Sequence, residues 1–103
     1  MLSDVKKKII DNDFVNNVRI NMVFNDEQYN DLVFSLGELA NLLKNNESID
    51  KELALYLYTI PQMIRNAYAS FDKVENKPDL AFKLEDAWIE LDSLVIKCLS
   101  KKE

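Results

Sequence analysis

Residues 50–71, DKELALYLYTIPQMIRNAYASF, decide the fold class. Leu53, Leu57, Ile60, Ile64, Ala67, Tyr68 and Phe71 recur at the three- and four-residue steps of an amphipathic helix. Pro61 interrupts the stretch, yet the apolar phase is the same on both sides of it. A proline cannot donate to the carbonyl four residues back, here that of Leu57, and its ring crowds that group. The reading is therefore one central helix, kinked near Pro61, with Thr59 available to cap a restarted segment.

The neighbouring stretches carry the same period. Leu2, Val5 and Ile9 form a short apolar face, and Phe14, Val15, Val18 and Met22 form a second one on nearly the opposite side. Asp11-Asn12-Asp13 lies between them and supplies a break and a new N-cap, with a second helix from about Asp13 to Val23. A strand over Val18–Phe24 is the competing reading, but the sequence offers no second strand to pair with it. Asn25, followed by Asp26, Glu27 and Gln28, reads as a cap, two first-turn acids and a Gln three residues on. That helix runs to about Lys44 and ends in Asn45-Asn46, burying Tyr29, Leu32, Leu36, Leu39 and Leu43. Gly37 lies on its outer side, where it weakens the helix by roughly 1 kcal/mol relative to Ala. Ser48 or Asp50 caps the central helix. Asn76-Lys77-Pro78-Asp79 opens the last one, with Pro78 suited to a first turn. This helix reaches about Leu99, with Lys101 and Lys102 beyond it, and buries Leu80, Leu84, Trp88, Leu91, Val95 and Cys98. Short connections join antiparallel neighbours. The expected fold is all-α: an antiparallel four-helix bundle with a short additional N-terminal helix, one domain over residues 1–103.

Composition restricts the chemistry. The chain has 103 residues, 48% hydrophobic and 30% charged, which suits one globular core. One Gly and two Pro leave few tight turns, against an all-β design. The absence of His removes the usual neutral-pH base, the commonest metal ligand and every Ser-His or Cys-His nucleophile. Cys98 is the only cysteine, on an apolar helix face, and reads as a buried structural thiol. No Gly-rich phosphate loop can be built around Gly37 alone. Asp86 and Glu90 are four residues apart on a polar face, and di-metal bundle sites need His beside such acids. No catalytic group, cofactor site or metal site is expected.

The formal net charge is −5, which disfavours nucleic acid and anionic membranes and favours a basic protein partner. Lys6-Lys7-Lys8 reads as a solvated basic patch. The N-terminus has no signal-peptide core and no stretch approaches a membrane span, so a cytoplasmic location is expected.

Two rows do not belong to the core stripes. On the helix after Asn25, Phe34 stands among Glu27, Asp31, Glu38 and Asn41. On the last helix Phe82, Ile89 and Ile96 recur every seven residues, flanked by Glu85, Asp86, Asp92 and Ser93. Apolar rows rimmed by acids are what a protein-binding patch on an acidic protein should look like. The alternative is that the N-terminal segment packs over one of them. Opposite the core stripe of the central helix lie Leu55, Tyr58, Gln62, Arg65 and Asn66, with Tyr58 a candidate anchor. The expected protein-binding residues are Glu27, Asp31, Phe34, Glu38, Tyr58, Phe82, Glu85, Asp86 and Ile89.

Small size, acidity, single-domain helical build and lack of catalytic groups resemble the helical immunity proteins of colicin-like and contact-dependent inhibition systems. The resemblance is one of type and is carried by no motif. It implies an antitoxin that masks a basic bacterial toxin domain. The alternative is a structural or regulatory homo-oligomer, with a homodimer seam along Phe82, Ile89 and Ile96.

Overall fold

Local capping chemistry and apolar period agree on where the helices lie. The computed structural model describes residues 2–44, 49–71 and 78–99. Among them the chain is all-helical: α1 (Leu2–Asp11), α2 (Phe14–Asn21), α3 (Asp26–Leu43), α4 (Lys51–Ala69) and α5 (Asp79–Leu99). The Asn45-Asn46 end, Ser48 and the Lys101-Lys102 pair lie outside the described residues.

The α1–α2 break falls where Asp11-Asn12-Asp13 predicts it, but Asn12 does the capping. Its Oδ1 accepts from the Phe14 N–H at 2.9 Å, and its Nδ2 donates to the Gln28 carbonyl at 3.0 Å. Asp13 makes no side-chain cap bond. The second bond ties the break to α3, so a local turn residue also fixes a tertiary contact. No strand forms at residues 18–24: α2 closes at Asn21, and Met22 turns the chain in the left-handed region at φ 52°. Asn25 accepts from the Gln28 N–H at 2.9 Å, and Asp50 accepts from the Glu52 N–H at 3.0 Å. Both act as the sequence predicts for N-caps.

The buried faces follow the stripes in α3 and α4. Leu32, Leu36, Leu39 and Leu43 are buried on α3, and Leu53, Leu57, Ile60 and Ile64 on α4. Pro61 is itself buried inside α4. Val5 and Ile9 of α1 and Phe14 and Val18 of α2 complete the core from the other side. Phe14 stacks edge-on to Phe24 (centroids 4.9 Å apart) and tilts against Tyr29 at 5.1 Å, which fastens α2 to the start of α3.

The assembly differs from expectation in two ways. First, the most extensively packed helix is α5 rather than α4. It packs on both α4 and α3, while α1 lies on α3 and α2 bridges α3 and α4. Second, the buried line of α5 runs through Ala81, Leu84, Ala87, Leu91, Val95 and Cys98, with Trp88 half-buried at its edge. Serving two neighbours centres the buried face between them, and the two alanines leave room for close helix approach. Trp88, one residue past Ala87, is turned aside toward α4. Cys98 is buried as predicted, with its Sγ 3.5 Å from the Leu36 carbonyl.

Candidate functional site

An apolar row on the outer face of α5 is the least expected surface of a small acidic protein. Phe82, Ile89 and Ile96 are 54%, 52% and 54% exposed, so no described segment packs over them. The covering role expected of the N-terminal segment goes elsewhere, because α1 spends its apolar face on α3. Seven residues fall about 20° short of two full helical turns. The row therefore drifts around α5 toward α4. At its third member it enters a groove of roughly 320 Å³ between the two helices. Tyr58, Pro61, Gln62 and Arg65 form one wall of this groove, and Trp88, Asp92, Ile96 and Leu99 the other.

Inside the groove the Arg65 guanidinium lies 5.5 Å from the centre of the Trp88 ring, a cation–π distance. The indole Nε1 of Trp88 is buried and donates to no acceptor among the described residues. Such an orphan costs about 1–3 kcal/mol relative to a satisfied donor. Leu99, exposed beside Ile96, belongs to this surface and was not among the expected residues. Its signal is in the sequence all the same: it stands three residues beyond Ile96, one helical turn along the same side.

The acids around the row are not neutralised from within. Among the described residues no Lys or Arg forms an ion pair with Glu85, Asp86 or Asp92, whereas four lysines are engaged with other acids. Lys6 holds Asp50 and also Glu52 (3.1 Å), Lys7 holds Asp11 (3.0 Å), Lys8 approaches Glu38 (4.0 Å), and Lys83 holds Asp26 (3.0 Å). The Lys6-Lys7-Lys8 run is thus largely consumed in pairs rather than left as a free basic patch. The hydrogen bonds that Lys6 donates to Asp50 and Glu52 push its pKa above the usual value, and Lys6 in turn pulls Asp50 below the usual carboxylate range.

Glu90, expected to be merely solvated, accepts from the Tyr29 hydroxyl and so joins α5 to α3. Burial first, and then this carboxylate, push the Tyr29 phenol well above its usual value. Asp86 faces the same side, in a shallow pocket with Phe24, Asp26, Tyr29, Lys83 and Glu90.

The nine expected residues do not form one patch. Phe34, 68% exposed, shares a different pocket with Asp31, Gln28, Lys8 and the Asp11-Asn12-Asp13 break. Glu27 is exposed on the same helix, and Glu38 is drawn toward Lys8 at the α1–α3 boundary. Tyr58 joins Ile96 in the α4–α5 groove, while Phe82, Glu85 and Ile89 continue that surface along α5. Among the described residues no group of three or more His, Cys, Asp or Glu side chains is arranged to hold a metal ion. None of the described helices is long and apolar enough to cross a membrane. No protein-family model, curated protein or solved structure matches the chain.

Proposed function

We propose that this protein is a small, acidic, non-catalytic protein-binding module that neutralises a basic bacterial toxin domain by masking its active surface. The observation that carries the reading is the α5 row. Three large apolar side chains stand more than half exposed, beside acids that no described cation neutralises. Unpaired acids raise the rate of encounter with a basic protein, and burial of apolar anchors then slows dissociation. The scaffold we assign to this function is an antiparallel four-helix bundle with α1 as the additional N-terminal helix and α4 bent at Pro61. Its place of action is the cytoplasm.

Co-expression with the product of the adjacent gene tests the reading. A stable complex with a basic toxin domain, and survival of cells making that toxin, are the expected results. Failure of both would refute it.

The same exposed row supports a second reading, a homo-oligomer sealed along Phe82, Ile89 and Ile96. A self-complementary seam brings Glu85, Asp86 and Asp92 of two copies together, and like charges juxtaposed across an interface are unfavourable. Light scattering separates the two readings: the toxin-binding module is a monomer on its own.

A further inference from the structure

We infer that the α5 row is the docking site for a basic amphipathic α-helix of the partner, laid along α5 and ending against the α4–α5 groove. The inference rests on the protein-binding reading and names the chemistry of its occupant. The seven-residue spacing is the first reason. Phe82, Ile89 and Ile96 stay in register with a facing helix that winds around α5, because a strict heptad row on one helix matches a heptad row on another. From Phe82 to Ile96 the row climbs about 21 Å, so an occupant of about three heptads covers it.

The second reason is the order of charge beside the row. Three and four residues after Phe82 come Glu85 and Asp86, and three after Ile89 comes Asp92. On a helical wheel these acids lie within about 60° of the row on either side, within reach of charged side chains on a facing helix. None of the three has a cation among the described residues, although Lys6, Lys7, Lys8 and Lys83 are all engaged in pairs elsewhere. Lys or Arg on the flanks of the incoming helix supplies the missing charge. A second copy of this chain would bring the same acids, so the occupant is a different, basic helix.

The third reason is the change of character at the end of the row. Three residues after Ile96 the position held by Glu85 and Asp92 becomes Leu99, and Tyr58 and Trp88 stand beside it. The tip of the incoming helix therefore meets an apolar notch instead of an acidic rim. This places the chain's only tryptophan within reach of the docked helix.

The test uses the full chain and a synthetic peptide of about 21 residues, with Leu at the two seam positions of each heptad and Lys at the flanking ones. A second peptide carries Glu in place of Lys. Trp88 fluorescence and calorimetry report binding, and far-UV circular dichroism checks that each variant is folded. The Lys peptide binds saturably with a change in Trp88 emission, and the Glu peptide binds at least about tenfold more weakly. Ile89→Asn weakens the Lys peptide about tenfold or more at any ionic strength. The double substitution Glu85→Gln/Asp92→Asn weakens it similarly at about 50 mM salt but much less at about 500 mM, where exposed charges are screened.

Equal binding of the two peptides overturns the inference, as does no binding of the Lys peptide or indifference to both sets of substitutions. A dimer that dissociates on Ile89→Asn would make the occupant a second copy and overturn it too. If the toxin domain still co-purifies with both variants as it does with the parent protein, the docking site is wrong while the protein-binding reading stands.

Discussion

Replacing Trp88 by Ala tests the rotation of α5 directly, because the two faces that α5 could have buried differ in what that change costs. Were Trp88 at the centre of the core, its truncation would cost about 3–5 kcal/mol. It is instead half-buried at the edge of the groove, with its indole N–H buried and unpaired among the described residues. Removing it forfeits part of the apolar burial and a cation–π contact with Arg65 worth about 0.5–1 kcal/mol at an exposed site. It also removes an unsatisfied donor costing about 1–3 kcal/mol, which offsets much of the loss. The net expectation is about 1–2 kcal/mol. Leu91, fully buried between α3 and α4, has no such offset, and Leu91→Ala should cost about 3 kcal/mol. Urea unfolding followed by helical circular dichroism resolves the difference. With a slope of about 1.5 kcal/mol per molar, Leu91→Ala lowers the midpoint by about 2 M and Trp88→Ala by about 1 M. Trp88→Phe keeps a ring in place while deleting the N–H, and should be neutral or stabilising by up to about 1 kcal/mol. A larger loss for Trp88→Ala than for Leu91→Ala would refute the placement of α5. A loss above about 1 kcal/mol for Trp88→Phe would show that the indole N–H has a partner.

Three further outcomes follow from positions on other helices. A methyl group added at Gly37 meets no atom within 4 Å, so Gly37→Ala should raise stability by about 1 kcal/mol in thermal or urea unfolding. Met22 occupies the left-handed region at φ 52°, which costs a side-chain-bearing residue about 1–2 kcal/mol. Met22→Gly relieves this at some entropic cost and should gain about 0.5–1 kcal/mol, while Met22→Ala should gain nothing. Burial pushes the Cys98 thiol up to about 11, so iodoacetamide at pH 8 should modify it only in the unfolded chain. The raised value also fixes the sign of its pH effect. The folded state holds the thiol proton more tightly, so the contribution is intact below the unfolded thiol's pKa of about 8.5 and is lost as pH rises toward 11. Cys98→Ala should flatten that alkaline decline; an unchanged profile would count against it.

Most helix boundaries were legible because they are decided within a few residues. Asn25 and Asp50 cap their own first turns, and Pro78 directly precedes α5. The Asn12 break was legible as a break, but which residue of Asp11-Asn12-Asp13 caps α2 was not, since Asn12 and Asp13 have similar local preferences. What selects Asn12 is its amide reaching the Gln28 carbonyl on another helix. Of the candidate site, the α5 row was legible as a row from its spacing. Whether it was covered was not, because that depends on where α1 lies. Leu99 escaped notice because a leucine at a helix end reads equally well as core.

The sequence by itself determined that this chain is helical, where each described helix begins, that its surface is acidic, and which apolar residues repeat. Each of these follows from backbone hydrogen bonding, side-chain period and charge along a single segment. Only the tertiary structure decided which of two apolar stripes on α5 was buried. Leu84, Ala87 and Leu91 went between α3 and α4, and α1 settled on α3. Phe82, Ile89 and Ile96 were left facing solvent. The reason is that α5 has apolar residues around more of its circumference than two neighbouring helices can cover. The stripe beside the small alanines permits the closer packing, and the other remains exposed.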